Sequence, residues 1–423
     1  MSSQTQTDTV QITPILEASR RASVALAAAP TQVKNRALAA VSAALRGNVP
    51  GILTANQADL AAGRENGLSA GMLDRLLLDE ARIEGLAAAV EQIALLTDPI
   101  GDVVRGRSLP NGIRISQVRV PFGVVGVIYE ARPNVTVDIA VIALKSGNAV
   151  VLRGGSAAEN TNRILVGLLQ QAIGSAGLPA DSVQTVDSFG RAGATELMQA
   201  RGYVDVLIPR GSARLIQAVV NQSKVPVIET GAGVVHIFVD ESADEDWAVE
   251  IVHNSKVQRP SVCNSLETLL VHRDAAVRLL PGVLAKLAAS GVTIHGDPRV
   301  REIFPAAVPA TDEDWGTEYM GLEVSVAVVD SLDEAIAHIR RYSTGHTESI
   351  ITNDVINAER FLAEVDSAAV MVNASTRFTD GGEFGFGAEV GISTQKLHAR
   401  GPMGLPELTS TKWIVRGSGQ VRA

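Results

Sequence analysis

Short apolar runs alternate with longer amphipathic stretches along most of this chain. Near its start, Val33, Ala37, Ala40, Val41 and Ala44 follow a spacing of three and four residues, which is typical of an amphipathic helix. From residue 124 onward, apolar runs are separated by further helical stretches. Unbroken apolar strands between amphipathic helices predict parallel sheets that helices cover on both faces.

The predicted strands fall into two consecutive sets. The first set has strands at 124–129, 149–152, 183–186, 204–208 and 225–228, separated by helices at 135–145, 157–176, 192–199 and 212–222. The second set has strands at 235–239, 267–272, 324–329, 349–352 and 370–372, with helices at 247–254, 275–289 and 333–341. This order predicts two doubly wound α/β domains. In such sheets, ligands bind beyond the carboxyl ends of the strands.

A hairpin is predicted between the opening helices and the first α/β set. Two strand-like runs, 103–109 and 113–120, flank Pro110, Asn111 and Gly112. Asn-Gly favours a two-residue type I′ turn, in which both central residues have positive φ. A two-stranded arm is marginally stable alone, so we expect it to lie on another domain or another subunit. A final strand is predicted at 413–416.

Composition narrows the class of protein. The 423 residues exceed one ordinary core, and 46% hydrophobic and 20% charged residues are typical of a globular protein. A net charge of −9 argues against a general nucleic-acid or membrane-surface binder. No apolar run is long enough to span a membrane, and the first ten residues lack a signal core, so we expect a frayed start and a cytoplasmic location. The scattered histidines and single cysteine predict neither a metal site nor a disulfide framework.

The single cysteine, Cys263, is the first candidate for chemistry. It lies on a polar connection between a predicted helix and a predicted strand, where a rigid scaffold can present a reactive group. Arg259, four residues upstream, favours the reactive thiolate. The alternative is that Cys263 packs as a small buried hydrophobe.

Two glycine turns are candidates for binding phosphate, although neither standard nucleotide motif is present. One runs from Arg153 through Gly154 to Ser156, and the other comprises Gly211 and Ser212. Each leads from a strand into a helix N-terminus, a geometry that can hold a phosphate. Either alone is usually just a turn, but two in one sheet indicate a dinucleotide site.

Four motifs occur in order, followed by a fifth. They are EARPNVT at 130–136, ETGAG at 229–233, QRPSVCN at 258–264, VNASTRFTDG at 372–381 and KLHARGPMG at 396–404. Together they resemble the motifs of the γ-glutamyl phosphate reductase family, a branch of the aldehyde dehydrogenase superfamily that serves proline biosynthesis. The resemblance runs from about residue 15 to about residue 415. One departure is Val234-Val235, where the family usually has Asn-Cys.

The resemblance implies an aldehyde dehydrogenase-like α/β fold, with two doubly wound domains and a small β oligomerisation arm. Residues 1–104 and 121–229 would form the dinucleotide-binding domain and 230–391 the catalytic domain. Residues 105–120 and 392–423 would be oligomerisation elements. The implied reaction is the NADPH-dependent reduction of L-glutamyl 5-phosphate to L-glutamate 5-semialdehyde, with release of phosphate, through a thioester on Cys263.

The resemblance also implies roles for single residues. Cys263 matches the nucleophile and Asn134 the side-chain donor to the oxyanion, although without the resemblance Asn134 is predicted to cap a helix. Glu229 aligns with a carboxylate that is a base in hydrolytic relatives; a strand-end residue capping a loop is the alternative. The substrate's carboxylate and phosphate require cations, and the candidates in the motifs are Arg132, Arg259 and Arg377.

The expected cofactor is NADP(H). Arg153 matches the superfamily's basic contact to the adenosine ribose, and no acidic residue directly follows its strand, which favours a 2′-phosphate. Glu318 matches the contact to the nicotinamide ribose. The cofactor-binding residues are therefore expected to be Arg153, Gly154, Ser156, Gly211, Ser212 and Glu318.

The partners expected are the small-molecule substrate, a possible glutamate 5-kinase that supplies it, and at least one further copy of the chain. Two other functions compete with the reductase. A cysteine hydrolase would pair Cys263 with a histidine, for which His253 and His272 are candidates. A non-catalytic binding protein could share the fold, because fold does not determine function.

Overall fold

The computed structural model describes residues 12–422, so the expectation of a frayed start lies outside the described residues. The chain divides into two compact units. The first comprises residues up to Glu229 together with Gly385–Gly391 and the end of the chain from Met403. The second comprises Thr230–Phe384 and Ile392–Pro402. Near the C-terminus, the predicted domain boundaries differ from the boundaries of these two units. The functions assigned to the domains stay predictions.

The first unit opens with five helices: α1 (Thr13–Ala27), α2 (Thr31–Gly47), α3 (Val49–Glu65), α4 (Ala70–Leu76) and α5 (Glu80–Leu95). Most carry one apolar stripe, and in α2 the stripe residues Ala37, Leu38, Val41 and Leu45 are fully buried. The helical spacing seen in the sequence therefore forms a core-facing surface.

A parallel four-stranded sheet follows in the first unit. Its strands are β3 (Val124–Tyr129), β4 (Ala149–Arg153), β5 (Val183–Thr185) and β6 (Val206–Arg210), in the order β5-β4-β3-β6. The helices are α6 (Pro133–Lys145), α7 (Glu159–Ser175), α8 (Gly190–Gln199) and α9 (Ala213–Gln222). The carboxyl ends of β3, β4 and β6 thus share one edge with the N-termini of the helices that follow them.

The predicted strand at 225–228 is wrong as a regular strand. Only Val227 forms a bridge, with Leu207. The Leu207 N–H donates to the Pro226 carbonyl at 2.8 Å and Ile228 N–H donates back to the Leu207 carbonyl at 2.9 Å. Pro226 lacks an N–H, so the ladder cannot extend through it.

The second unit holds a seven-stranded parallel sheet. Its strands are β7 (Val235–Val239), β8 (Leu266–His272), β9 (Thr293–Gly296), β10 (Val308–Pro309), β11 (Glu323–Val329), β12 (Thr347–Ile351) and β13 (Ala369–Val372), in the order β10-β9-β11-β8-β7-β12-β13. The helices are α10 (Glu245–Val257), α11 (Arg273–Ala289), α12 (Pro298–Ile303), α13 (Leu332–Tyr342) and α14 (Val355–Glu364). Ile237 packs with α10 and α11, whereas the next residue, Phe238, packs with α13 and α14. This alternation confirms that helices cover both faces.

The predicted hairpin is present, but its turn is not type I′. Strands β1 (Val103–Ser108) and β2 (Arg114–Pro121) pair antiparallel, and Gly112 N–H donates to the Leu109 carbonyl at 2.9 Å. Among the described residues, positive φ occurs at Gly112 but not at Asn111. Pro110 fixes its own φ near −65°, which suits the first central position of a type I turn. The result is a three-residue loop that ends in a left-handed glycine.

A third strand completes this β arm. Residues Thr409–Arg416 (β16) pair antiparallel with β2, in the order β1-β2-β16. In the second unit, the short strands β14 (Ile392–Ser393) and β15 (Gly401–Pro402) also pair antiparallel. None of the helices in residues 12–422 has both the length and the apolar character that a membrane crossing requires.

Candidate active site

Cys263 lies on a turn that is anchored within the second unit. The turn joins α10 to β8, and the Ser265 N–H donates to the Val262 carbonyl at 3.0 Å. The buried Asn264 donates from Nδ2 to the Thr379 carbonyl at 2.8 Å, and the Thr376 hydroxyl donates to the Asn264 carbonyl at 2.8 Å. Cys263 itself is only half-buried. A partly accessible thiol on a fixed turn fits a nucleophile better than a core residue.

Gly233 makes the closest backbone approach to this turn. A Cβ atom at Gly233 would lie 1.5 Å from the Cys263 carbonyl oxygen, so no larger residue fits without moving the backbone. The Gly233 N–H donates to Glu318 Oε1 at 2.8 Å. Gly233 thereby contacts both the cysteine turn and Glu318. No role was predicted for this glycine from the sequence, although it lies in the ETGAG motif.

Two of the three predicted substrate arginines, Arg377 and Arg259, belong to the surroundings of Cys263. Arg377 lies close enough to both Arg259 and Cys263 for their charges to act on it. Burial lowers the pKa of Arg377, and nearby Arg259 lowers it further, whereas Asp380 and Cys263 act in the opposite direction. Arg377 Nε donates to Gln258 Oε1 at 2.7 Å, which fixes its guanidinium beside the turn. The arrangement places positive charge around the sulfur, as a thiolate requires. The third candidate, Arg132, belongs to the first unit, where it precedes α6.

A buried ion pair flanks the cysteine turn, and sequence reasoning missed it. Lys256 Nζ and Glu267 Oε2 are 2.7 Å apart, and neither side chain is exposed. Burial lowers the pKa of Lys256 and raises the pKa of Glu267, because both lose hydration. The pair links the last turn of α10 to the start of β8. The signal available in the sequence was Glu267, a charged residue at the start of an otherwise apolar predicted strand.

The two histidines proposed for a cysteine hydrolase have other contacts in this unit. His253 Nε2 bonds with the Ser290 hydroxyl at 2.8 Å. His272 Nδ1 accepts from the Asp274 N–H at 3.2 Å and caps α11. Neither contact orients an imidazole toward a thiol, so the geometry gives the hydrolase no support.

Asn134 is the second residue of α6, and its N-cap is Arg132. The alternative role of Asn134 as the helix cap is therefore wrong. Its Nδ2 donates to Asp138 Oδ2, one helical turn later, at 3.2 Å. Burial raises the pKa of Asp138 to about 6, while the bond from Asn134 and the charge of Arg210 act against the rise. The sequence analysis missed Asp138.

The first glycine turn is stabilised by a carboxylate from the neighbouring strand. Gly154 N–H donates to Asp187 Oδ1 at 2.7 Å, and Asn162 Nδ2 donates to Asp187 Oδ2 at 3.1 Å. Arg153 is half-buried and lies close enough to Asp187 to lower its pKa, which burial raises. An acid thus lies beside Arg153, but it follows β5 rather than β4. A search directly after β4 therefore could not find it.

The second glycine turn also contacts a carboxylate. The Ser212 hydroxyl donates to Glu130 Oε1 at 2.6 Å and accepts from the Leu215 N–H as the cap of α9. Gly211 lies against the Glu130 side chain. Nearby in the same unit, Gln217 Nε2 donates to Glu229 Oε1 at 3.1 Å. Glu229 is therefore hydrogen-bonded at this edge of the first sheet.

The sequence of this chain is similar to those of known proteins. The Aldehyde dehydrogenase family matches residues 3–302. Gamma-glutamyl phosphate reductase from Leifsonia xyli subsp. xyli is 68% identical over 97% of this chain and 98% of its own length. The relative of the same name from Thermobifida fusca is 60% identical over 96% of this chain and 98% of its own length.

Solved structures agree in fold. The crystal structure of gamma-glutamyl phosphate reductase from Thermotoga maritima matches with a TM-score of 0.95 and 46% identity, covering 97% of this chain and 99% of that one. An acetylating aldehyde dehydrogenase from Geobacillus thermoglucosidasius matches with a TM-score of 0.69 at 17% identity, over 97% of both chains. The second likeness is one of fold alone.

Proposed function

Because this chain belongs to the γ-glutamyl phosphate reductase family of aldehyde dehydrogenase-like oxidoreductases, we propose that it reduces L-glutamyl 5-phosphate to L-glutamate 5-semialdehyde. The electron donor is NADPH, and phosphate is released in L-proline biosynthesis. The observation that carries the proposal is the single cysteine on an anchored, half-buried turn, with Arg377 and Arg259 beside it. We assign the reaction to the cytoplasm and its acyl phosphate to a glutamate 5-kinase, since so labile a substrate needs a nearby source.

Cys263 is the proposed nucleophile. Its thiolate attacks the acyl carbon, the carbon–oxygen bond to phosphate breaks, and a thioester remains on the sulfur while phosphate leaves. The positive field of Arg377 and Arg259 favours the thiolate before attack and can bind the anionic substrate and the departing phosphate. Arg132 is assigned to the same substrate-binding role.

Asn134 is assigned as the side-chain donor to the oxyanion, together with the backbone N–H of Cys263. The amide Nδ2 carries two hydrogens, and Asp138 accepts only one. The second hydrogen is available to an oxygen that gains negative charge. Removing one such donor typically raises the barrier by ~2.7–4 kcal/mol.

The residues of the first unit suit a nicotinamide dinucleotide, which this family uses. Gly155 forms part of a close backbone cradle, because a Cβ there would lie 2.7 Å from the Ala131 nitrogen. Arg153 supplies a cation, and Ser156 is exposed and uncharged beside it. Each oxygen of Asp187 already accepts a hydrogen bond, and Arg153 donates from Nε to the Gly190 carbonyl, so the terminal nitrogens of Arg153 can serve a phosphate. This donor set favours a 2′-phosphate and hence NADP(H).

When bound, the reduced nicotinamide would supply a hydride to the thioester carbon; the carbon–sulfur bond then breaks, which gives the aldehyde and returns the Cys263 thiolate. Glu318 is assigned to its ribose and is held by the Gly233 N–H. Gly154, Gly211 and Ser212 are assigned to the phosphates, which requires Ser212 to exchange its bond to Glu130 for one to the cofactor. Glu229 is left without a water-activating role, because hydride resolves the thioester in the forward direction and phosphate, not water, resolves it in reverse.

Phosphate dependence of the reverse reaction tests this function. Microscopic reversibility requires phosphate to attack the thioester formed from glutamate 5-semialdehyde. Sustained NADP reduction should therefore require inorganic phosphate, and about one turnover per site should appear in sulfate buffer of equal ionic strength. Cyclisation of the aldehyde to pyrroline carboxylate must be allowed for. Full-rate oxidation to glutamate in sulfate buffer would show that water is activated and would overturn the proposal.

A further inference from the structure

Asn134 and Asp138 form a side-chain pair on one face of α6. They are separated by four residues, which places them one above the other on a helix. The Asn134 Nδ2 donates to Asp138 Oδ2 at 3.2 Å. An ionised carboxylate can only accept hydrogen bonds. It therefore selects the amide orientation in which the NH₂ group, and not the carbonyl oxygen, faces it.

The surroundings of Asp138 favour its hydrogen bond with Asn134. It is half-buried within α6, and the charged side chain that acts on it is Arg210, at the end of β6. Asp138 has no place in the reaction assigned above. A partly buried carboxylate is costly unless it is paired or hydrogen-bonded, and its hydrogen bond here is to the proposed oxyanion donor.

We propose that Asp138 is a positioning residue that holds the Asn134 amide with one Nδ2 hydrogen available to the substrate oxyanion. The inference rests on the function proposed above. If the Asn134 amide rotated by half a turn, its carbonyl oxygen would replace the N–H and repel the developing negative charge. Asp138 would therefore act on the rate of the chemical step and not on substrate affinity.

Protonation of Asp138 should abolish its control over the orientation of the Asn134 amide. A protonated Asp138 can donate to the amide oxygen of Asn134, which allows the opposite orientation. Because burial raises the pKa of Asp138 to about 6, kcat/KM should fall as the pH drops through about 6. Among the described residues, Arg210 is the charged group that acts on the Asp138 carboxyl. It favours the ionised form, so an Arg210→Gln variant should move this inflection to higher pH.

One variant and a matched control test the proposal in the intact enzyme. Asp138→Asn has nearly the same shape, but it can present either an oxygen or an NH₂ group to Asn134. Loss of a charge-assisted hydrogen bond corresponds to about a 10–100-fold change, so we expect kcat to fall by about that factor, KM to stay within about twofold, and the inflection near pH 6 to disappear. Asp205→Asn is the matched control. Its carboxylate accepts from the Val124 N–H at 2.8 Å, at the opposite edge of the same sheet, and its pH profile should match wild type.

A double-mutant cycle separates positioning from general stability. In an Asn134→Ala background, Asp138→Asn should cause no further loss of kcat, because nothing remains to be oriented. Asn134→Ala alone should lack the inflection near pH 6, a measurement that stands even if Asp138 variants fail to fold. Retention of the inflection in Asn134→Ala, or an unchanged kcat in folded Asp138→Asn, would overturn the proposal. Absence of reductase turnover in wild type would instead refute the proposed function.

Discussion

At the scale of single residues, the reactivity proposed for Cys263 depends on its neighbours more than on its own burial. Asn264 fixes the turn through Thr379 and Thr376, while Arg377 and Arg259 supply the positive field. The thiol is half-buried, so a substrate carbonyl can reach it. These conditions favour the prediction of a nucleophile over that of a packing residue.

Replacing the sulfur tests this assignment. Cys263→Ala should lower kcat by at least about a thousandfold, because every covalent step passes through the thiol. NADPH affinity, followed by cofactor fluorescence, and the melting temperature should stay close to wild type. Ser265→Ala is a suitable control on the same turn and should remain active. Steady-state turnover near wild type in Cys263→Ala would contradict the thioester mechanism.

Reversing one charge tests cofactor choice. Arg153→Glu would place a negative charge against a 2′-phosphate, so we expect NADPH affinity to fall by about tenfold or more while NADH affinity changes little. The same charge reversal at Arg191→Glu, an exposed residue of α8, controls for net charge. Titration of both variants with both cofactors measures the preference. An unchanged ratio of the two affinities would place the phosphate elsewhere.

At the scale of elements, the cysteine turn is held at both of its ends. The Lys256–Glu267 pair joins α10 to β8, and Gly233 packs against the Cys263 carbonyl just before β7 begins. Gly233 also binds Glu318 through its N–H. The turn that carries Cys263, the proposed nucleophile, is therefore positioned by contacts from several segments of one unit.

Gly233→Ala tests the close approach. The added Cβ would overlap the Cys263 carbonyl, so the backbone must shift. We expect a loss of about 1–3 kcal/mol of unfolding free energy and a fall in kcat that exceeds the change in KM. Gly316→Ala has open space around its Cβ and no positive φ, so it should be nearly neutral. If Gly233→Ala melted and reacted like wild type, the packing described here would be wrong.

Breaking the buried ion pair tests the anchor. Lys256→Met should cost about 3–5 kcal/mol of unfolding free energy, because it leaves the Glu267 carboxylate buried without its cation. Burial already raises the pKa of Glu267, so the variant should be most stable below the ordinary glutamate pKa and lose stability as the pH rises toward the raised value. The double variant Lys256→Met/Glu267→Leu should recover part of the loss. Urea unfolding from pH 4 to 9 measures both, and a pH-independent loss in the single variant would contradict this account.

At the scale of the whole molecule, the β arm is the surface that a second copy is expected to cover. Val103 and Val104 are exposed on β1, and Trp413 and Val415 are exposed on β16. The Arg105 guanidinium lies 5.2 Å from the Trp413 ring. Contiguous exposed apolar side chains on a sheet typically mark an interaction surface.

Oligomerisation through this arm is a testable prediction. We expect at least a dimer by light scattering, and Val415→Lys should shift the population toward monomer, because a buried lysine would lose its hydration. Val355→Lys, at an exposed apolar residue of α14, is the control and should not change the mass. A wild-type monomer, or a dimer unaffected by Val415→Lys, would exclude this surface.

Local patterns predicted most of the regular elements but not β9, β10, α12 and α14. They also singled out Cys263, whose role as the nucleophile stays a prediction. Apolar runs such as β3 and β7 are buried on both faces, and that burial is visible in the residues themselves. Cys263 and the two glycine turns occur where a strand meets a helix, which spacing along the chain also reveals. Pro226 and Pro110 account for two further differences, since a missing N–H and a fixed φ changed a strand and a turn that the apolar pattern alone had predicted.

The amino-acid sequence by itself therefore determined the order of elements, the α/β class and the family motifs, because these depend on neighbours within a few residues. Only the tertiary structure decided which carboxylate meets which donor. Asp187 reaches Gly154 across 33 residues, and Ser212 reaches Glu130 across 82. Such pairs depend on strand order and register, which apolar periodicity does not encode. The same physics brings β16 beside β2 and Gly233 against Cys263, because packing in three dimensions decides which distant segments become neighbours.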